Sequence, residues 1–334
     1  MPRRPMIAAV AAALLAVTMA GCGARERADA PSSRAGLGAA PSAAPGVPAS
    51  AAANPADDQA GRAPGRAFAV GVRLLSANRG GDRTLTVTVW YPAGGRAGGT
   101  PKAGAAAAKG RFPVVVFSHG LTGVPGDYRA LVTRWAAAGF VVVAPAYPHT
   151  SRGVARFDVL DVVNQPADAA YVLSRVLALD GAAGDPLRGH LNRDRIAAAG
   201  HSAGGITTVG LFTAGRDERL DAGIVLAGNA LGVGDGFTGP AAPLLFVHGD
   251  ADPVTPYGLA KAAYARAPWP KAFLTMPGEG HTDPYLRPDA PGFAAVSATT
   301  VDFLRWTLYG DAAAGHRLAR DAATGGAGRL ENRL

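Results

Sequence analysis

A serine in a glycine-rich turn is the residue of this chain whose surroundings most clearly favour chemistry. Residues 200–204 read Gly-His-Ser-Ala-Gly, between a short apolar run and a helix-compatible stretch at 206–212. This is the G-x-S-x-G pattern, in which the serine occupies a sharp turn from strand to helix. The glycines let the two elements pass closely, and the helix N-terminus faces negative charge that develops in acyl transfer. The pattern therefore predicts that Ser202 is a nucleophile.

A serine nucleophile needs a histidine as general base and a carboxylate that orients the histidine. Two carboxylates, Asp250 and Asp252, follow the apolar run 244–247. We choose Asp252, because it lies farther out on the loop and begins an Asp-Pro-Val-Thr-Pro turn. Asp250 is expected to cap that turn.

His281 is the predicted general base. It lies on a glycine-flanked loop, 277–283, past the apolar run 273–276, from which it could reach the serine. The remaining histidines lack this combination of chain order and loop setting: His119, His149, His190, His201, His248 and His316.

Two backbone N–H groups are predicted to stabilise an oxyanion. The apolar run 113–117 is followed by Ser-His-Gly-Leu-Thr-Gly at 118–123, and the glycine allows the backbone to approach a substrate closely. The N–H of Leu121 and the N–H of Ala203, the residue after the nucleophile, would together form the oxyanion hole.

These loops require a sheet whose strands all end at one edge. Continuous apolar runs bounded by turn signals predict strands buried on both faces of a largely parallel sheet, at 113–117, 140–144, 196–199, 223–227, 244–247 and 273–276. Alternating segments at 68–75 and 84–91 predict an antiparallel hairpin before them. Helical periodicity is found at 128–138, 167–179, 203–212 and 294–308. The predicted class is α/β with helices on both faces, and ligands bind beyond the carboxyl ends of such strands.

From about residue 68 to residue 309 the chain resembles an α/β-hydrolase. The resemblance rests on segments 112–120, 200–204, 244–252 and 278–281, which match the landmarks of that superfamily in order. It is most similar to the branch of platelet-activating-factor acetylhydrolases, dienelactone hydrolases and polyester hydrolases. The serine elbow departs from the cysteine of dienelactone hydrolases, and Leu121 departs from the aromatic residue usual in polyester hydrolases. The resemblance implies a serine carboxylic ester hydrolase that forms an acyl-enzyme.

The substrate pocket is predicted to be open. The connection at 228–242 is short and Gly-rich, so we expect no large lid, whereas the longer excursion at 147–165 could form one wall. His119, Tyr147 and His149 are the predicted pocket residues. We expect short-acyl or externally presented esters, whether small molecules, lipids or polymers. A peptidase or amidase on the same triad, and a catalytically silent cell-surface binding protein, remain alternatives.

Composition argues against several other classes of function. The formal net charge is +8, but the basic residues are scattered and no nucleic-acid-binding motif is found, so we expect no nucleic-acid partner. No P-loop and no Cys/His cluster is found in the sequence, so we expect neither a metal nor another cofactor. We expect a monomer.

The N-terminus resembles an export signal. Arg3 and Arg4 precede an apolar run at 6–20. Cys22 is the only cysteine, so no intramolecular disulfide can form. Segment 17–22 resembles a lipobox, with Met19 in place of the usual Leu, Val or Ile. We predict lipidation of Cys22 and a membrane anchor at the outer face of the cytoplasmic membrane; ordinary signal cleavage would instead give a secreted protein.

The predicted domain organisation follows from these patterns. Residues 1–22 form the signal peptide, and residues 23–66, rich in Ala and Pro, form a disordered tether. Residues 67–310 form the catalytic domain, with a surface loop at 93–110, and residues 311–334 form a C-terminal tail.

Overall fold

Ten strands of the computed structural model, which describes residues 62–234 and 236–334, form one sheet. They are β1 (Ala69–Asn78), β2 (Thr84–Ala93), β3 (Lys102–Ala103), β4 (Phe112–Ser118), β5 (Val141–Ala146), β6 (Leu191–His201), β7 (Ala222–Leu226), β8 (Leu244–Gly249), β9 (Lys271–Met276) and β10 (Arg329–Arg333). The strand order is β10-β9-β8-β7-β6-β4-β5-β2-β1-β3.

The six strands β4 to β9 are mutually parallel and form the centre of the sheet. Every residue of β4, β7 and β8 is buried, which explains why these strands read as continuous apolar runs. β1 and β2 form the predicted antiparallel hairpin, and β2 joins the parallel strands by pairing with β5. The carboxyl ends of β4, β6, β8 and β9 therefore share one edge of the sheet, as the sequence predicted.

Within the described residues, seven α-helices cover the sheet: α1 (Arg129–Ala137), α2 (Gln165–Leu177), α3 (Ala203–Gly210), α4 (Tyr257–Arg266), α5 (Asp283–Leu286), α6 (Pro291–Tyr309) and α7 (Ala312–Ala322). One apolar layer contains residues of α2, α3 and α4. The layer on the other face contains residues of α1, α5, α6 and α7. The predicted fold class is confirmed: a mostly parallel sheet with an antiparallel hairpin and helices on both faces, consistent with the α/β-hydrolase fold.

The prediction that residues 311–334 form a tail is wrong. They form α7 and β10, and β10 pairs antiparallel with β9 at the edge of the sheet. The Leu318 side chain of α7 is buried in the apolar layer beneath it. The segment contains few large apolar residues, but a helix against a sheet edge buries enough surface with Leu318 and several alanines.

The predicted signal peptide, the Cys22 lipidation site and most of the tether lie outside the described residues. The described chain begins with contacts to the domain, because the Pro64 carbonyl accepts a hydrogen bond from Arg305 at 3.1 Å. Pro64 also packs against Gly139, which directly precedes β5. The domain boundary therefore lies a few residues earlier than residue 67.

The connections at the carboxyl edge are short on one side and long on the other. Between β7 and β8, the described residues form turns and contain no helix. The excursion after β5 is held by a 3-10 helix, Val159–Asn164. Arg83, from the hairpin turn, bonds both Asp161 of this helix and Asp168 of α2. In the part of the chain that the structure describes, no helix is long and apolar enough to cross a membrane.

Candidate active site

Ser202 lies in a strained turn between β6 and α3. Its backbone angles are φ 58° and ψ −120°, a region that non-glycine residues rarely occupy and that is typical of functional sites. A Cβ atom at Gly200 or Gly204 would overlap backbone atoms of the neighbouring segment. The close approach that the glycine spacing predicted is therefore present on both sides of the serine.

The three residues of the predicted triad meet at the carboxyl edge of the sheet. Ser202 Oγ lies 2.8 Å from His281 Nε2, and His281 Nδ1 lies 2.7 Å from Asp252 Oδ2. The Asp252 carboxylate is fully buried, the His281 side chain is 11% exposed, and Ser202 is half-buried. The acid is therefore shielded from solvent, whereas the serine and the histidine are partly exposed.

The environment of Asp252 keeps it ionised. Burial alone would raise its pKa, but hydrogen bonds from His248 and His281 outweigh burial and hold the pKa well below the usual value of 3.8. Asp252 Oδ1 also accepts the N–H groups of Val254 and Thr255 at 2.8 and 2.9 Å. An ionised acid at this position fixes His281 as the tautomer that carries its proton on Nδ1.

The expected role of Asp250 is wrong. Asp252 itself caps the turn that follows it, through the two N–H groups above. Asp250 Oδ1 instead accepts the N–H of Gly278 at 2.7 Å, and Asp250 thereby holds the loop that carries His281. Both carboxylates thus act on the same loop, one through the histidine ring and one through the backbone.

The two predicted oxyanion donors lie on segments that converge on Ser202. Ala203 is the first residue of α3, so its N–H has no carbonyl partner within the helix. Across from it, Gly120 approaches so closely that a Cβ atom there would lie 3.2 Å from Ser202 Cβ. The N–H of Leu121 belongs to the peptide group that joins Gly120 to Leu121, and Leu121 is half-buried.

The prediction that His119 lines the substrate pocket is wrong. The side chain is 1% exposed, and both ring nitrogens are bonded within the protein. Nδ1 lies 2.8 Å from the Gly120 carbonyl oxygen, and Nε2 lies 3.2 Å from the N–H of Tyr147 and 2.9 Å from Ser151 Oγ. Burial lowers the pKa of His119 to about 4, although the bond to Gly120 raises it. His119 is a neutral internal residue that supports the segment 118–123, which we call the oxyanion loop.

The other two predicted pocket residues are not brought to the serine either. Tyr147 is fully buried, and its hydroxyl bonds Ser118 Oγ at 2.7 Å. His149 Nε2 lies 3.2 Å from Asp82 in the hairpin turn. A surface cavity of about 320 Å³ near this segment has Tyr147 in its lining, but Ser202 is not part of that lining. These residues follow the sheet edge, but their side chains point into the protein or toward the hairpin.

One residue that sequence reasoning set aside lies inside the site. His201, the residue between Gly200 and Ser202, is buried and bonds both Tyr128 and the backbone of His281. Its ring centroid lies 4.8 Å from that of His281. The available signal was its place directly before the nucleophile, at the last position of β6.

Among the residues that the structure describes, no group of three or more His, Cys, Asp or Glu side chains is arranged to hold a metal ion.

Comparison with known protein families gives a match to part of the chain. The family model described as chlorophyllase matches residues 102–227, a segment that includes Leu121 and Ser202 and ends before Asp252 and His281. No curated protein matches the chain. The chlorophyllase family belongs to the α/β-hydrolase superfamily, and the match indicates a serine ester hydrolase of the α/β-hydrolase type.

Proposed function

We propose that the protein is a carboxylic ester hydrolase, acetylhydrolase-like or lipase-like, that forms an acyl-enzyme on Ser202. The observation that carries the proposal is a pair of consecutive hydrogen bonds. Ser202 Oγ lies 2.8 Å from His281 Nε2, and His281 Nδ1 lies 2.7 Å from Asp252 Oδ2. A serine bonded to a base, and a base oriented by a third group, is the arrangement that activates a nucleophile.

The reaction takes place in two matched steps. In the first, Ser202 Oγ attacks the ester carbonyl carbon while His281 Nε2 accepts the serine proton. The N–H groups of Leu121 and Ala203 stabilise the negative oxygen. The intermediate collapses, the bond to the alcohol breaks, and His281 gives its proton to the leaving oxygen. In the second step, water loses a proton to His281 and attacks the acyl carbon. The bond to Ser202 Oγ then breaks, His281 returns the proton to Oγ, and the acid leaves.

The substrate class follows from the surroundings of the serine. The connection after β7 is short, so no long lid element covers the site within the described residues. The excursion after β5 presents exposed apolar side chains at this edge, since Phe157 is 40% exposed and both Leu160 and Val163 are 53% exposed. Such an open, partly apolar rim supports esters with short acyl groups, or esters presented on a surface, over long chains that need a closed tunnel.

Active-site labelling tests the proposal directly. The wild-type domain should react with a fluorophosphonate probe, because only an activated serine reacts, and the label should be found on Ser202. Ser202→Ala should abolish labelling and lower kcat toward p-nitrophenyl acetate by about 10⁶-fold. A variant that keeps a tenth of wild-type esterase activity would show that the nucleophile is another residue.

Substrate preference needs a separate panel. A series of p-nitrophenyl esters should give its highest kcat/KM at short acyl lengths, and a maximum at twelve or more carbons would contradict the open site. Because the matching family model is described as chlorophyllase, chlorophyll belongs in the panel beside lipids and polyesters. A fluorogenic dipeptide assay distinguishes esterase from amidase activity.

We propose further that the protein is exported and anchored by a lipid on Cys22. The support is the sequence of residues 1–22, with its apolar run and lipobox-like end. Mass spectrometry of the membrane fraction should find a lipid-modified Cys22 at the mature N-terminus. A mature chain that begins at another residue would support secretion instead.

A further inference from the structure

A buried chain of hydrogen bonds connects the three loops that meet at Ser202. The N–H of Gly120, in the oxyanion loop, lies 3.0 Å from Tyr128 Oη. Tyr128 Oη lies 2.8 Å from His201 Nδ1 in the elbow. His201 Nε2 lies 2.6 Å from the carbonyl oxygen of His281, in the loop 277–283, which we call the base loop. Tyr128 and His201 are each about 2% exposed.

The chemistry of the two ends fixes the direction of every bond. The Gly120 N–H can only donate, so Tyr128 Oη accepts that bond and directs its own proton to His201 Nδ1. The His281 carbonyl can only accept, so His201 Nε2 must carry the ring proton. A neutral His201 with its proton on Nε2 therefore satisfies every bond of the chain. In a protonated ring, the N–H at Nδ1 would face the proton that Tyr128 donates.

The oxyanion loop is held from its other side by His119. The Tyr147 N–H can only donate to His119 Nε2, so the ring proton of His119 lies on Nδ1 and is donated to the Gly120 carbonyl. The N–H of Gly123 donates to the same oxygen at 3.0 Å. Because the peptide group is planar and trans, fixing the Gly120 carbonyl also fixes the N–H of Leu121, which points the opposite way.

We propose that Tyr128 and His201 are positioning residues that hold the oxyanion loop, the nucleophile elbow and the base loop in one catalytic alignment. Each loop belongs to a different crossover of the fold, and alignment of reacting groups to within a fraction of an ångström contributes strongly to rate. The proposal rests on the proposed esterase function, because it assigns roles within that site.

We call the chain of hydrogen bonds from Gly120 through Tyr128 and His201 to His281 the relay. The surroundings of His201 keep the relay intact over the working range of pH. Burial, together with the nearby His281, lowers the pKa of His201 to about 3, against the carbonyl bond that raises it. Burial raises the pKa of the Tyr128 hydroxyl above its usual value. The rings of Tyr128, Tyr285 and His281 surround the imidazole, and Asp252 and His248 are the other titratable groups close to it.

Tyr128→Phe is the sharpest test, since it removes one oxygen from the middle of the relay and keeps the ring. We expect kcat toward p-nitrophenyl acetate to fall by about 10- to 100-fold with KM changed less than about threefold, because the relay does not touch substrate. The rate constant for fluorophosphonate labelling should fall in parallel.

Tyr309→Phe is the matched control. The Tyr309 hydroxyl is partly buried and donates to a backbone carbonyl, that of Gly139, at 2.6 Å, but it lies at the opposite edge of the sheet. If the hydroxyl of Tyr128 serves only stability, the two variants should keep the same kcat at temperatures well below unfolding. Equal kcat in wild type, Tyr128→Phe and Tyr309→Phe would overturn the proposal.

Rescue at position 201 supplies a second readout. A glutamine amide can still donate to the His281 carbonyl, whereas leucine cannot, so His201→Gln should keep at least tenfold more kcat than His201→Leu. Combining Tyr128→Phe with His201→Gln should lower kcat by less than the product of the single effects, because both act through one relay. Equal activity of the two position-201 variants, or fully multiplicative losses, would contradict it.

A measurement on the unaltered protein covers variants that fail to fold. Long-range nitrogen–proton spectra of sequentially assigned wild-type protein should show His201 as the neutral Nε2–H tautomer and His119 as the neutral Nδ1–H tautomer. An Nδ1–H tautomer at His201 would exclude the relay. Failure of the esterase function is distinguishable, since wild type would then not be labelled, whereas failure of the relay leaves wild type and Tyr128→Phe labelled equally fast.

Discussion

At the scale of single residues, the position of Asp252 decides how the base loop is held. Its Oδ2 receives His281 Nδ1 at 2.7 Å and lies 3.4 Å from His248 Nε2, while Oδ1 caps the following turn. Asp250, two residues earlier, bonds the backbone of the same loop and forms a surface ion pair with Arg329 at 3.6 Å. The two neighbouring carboxylates therefore offer a matched comparison of an orienting acid with a loop support.

Asp252→Asn should lower kcat by about 10⁴-fold, because an amide stabilises the wrong tautomer of the histidine and cannot offset the imidazolium charge. Asp250→Asn should lower kcat by less than about tenfold, since it weakens only the bond to the Gly278 N–H and a surface ion pair with Arg329. Steady-state kinetics of both variants on p-nitrophenyl acetate compares them. If Asp250→Asn were the more damaged enzyme, the acid would be assigned to Asp250 instead.

At the residue scale, chain order in the sequence predicts which residues lie close together. Ser202, Asp252 and His281 were selected because each follows a buried strand, and the parallel sheet brings those ends together. His119 and Tyr147 also follow strands, yet their side chains are buried. The direction of a side chain at a strand end depends on the local turn and not on the spacing of apolar runs, so the sequence did not reveal it.

At the scale of elements, the packing of α3 against β4 and β7 determines where the nucleophile lies. A Cβ atom at Gly204 would overlap the Ser118 carbonyl oxygen, which belongs to β4. A Cβ atom at Gly205 would lie 2.8 Å from Gly228, just past β7. The helix therefore approaches two strands more closely than any side chain permits, and its N-terminus is held directly beneath Ser202.

Gly204→Ala should destabilise the protein by more than about 3 kcal/mol or prevent folding, because the overlap is with backbone. Gly258→Ala is the matched control. Gly258 lies in the exposed first turn of α4, where an added Cβ meets nothing within 4 Å, so the free energy of unfolding should rise by about 0.5–1 kcal/mol. Urea unfolding of both variants measures the difference. Similar stability changes in the two would show that close packing of α3 is not required.

The elements that the sequence did not predict share a physical reason. α4 is rich in alanine and has weak apolar periodicity, whereas the buried face of α7 is periodic but consists mostly of alanines, with Leu318 as its one large apolar side chain. β10 reads Arg-Leu-Glu-Asn-Arg and is mostly polar, because an edge strand needs little burial on its own. Strands β4 to β9, which are buried on both faces, were all predicted, with bounds that differ by a few residues.

At the scale of the whole molecule, the buried histidines link stability to pH. In the unfolded chain a histidine has a pKa near 6.5, but burial lowers the pKa of His119 to about 4 and that of His201 to about 3 in the folded protein. Between pH 6.5 and the lower pKa of each folded-state histidine, the unfolded state binds more protons than the folded state. The free energy of unfolding therefore falls as pH falls below about 6.5.

Each of these histidines should contribute a slope of up to about 1.4 kcal/mol per pH unit between pH 6 and pH 4. Urea unfolding of wild type at a series of pH values should show this loss. His201→Gln should reduce the slope by about half of the combined contribution of the two histidines, while its difference from wild type stays constant above pH 7. An unchanged slope in the variant would show that His201 protonates without unfolding the protein.

The contact of Pro64 with Gly139 and Arg305 gives the domain an orientation. Gly139 directly precedes β5, so the chain enters at the amino edge of the parallel strands, whereas Ser202 lies at the carboxyl edge. A seven-residue strand such as β4 separates the two edges by about 20 Å. The described chain therefore begins on the side of the domain away from the reactive serine. An enzyme immobilised directly at Arg62, the first described residue, would present its catalytic edge to the surrounding solution and to substrates arriving from it.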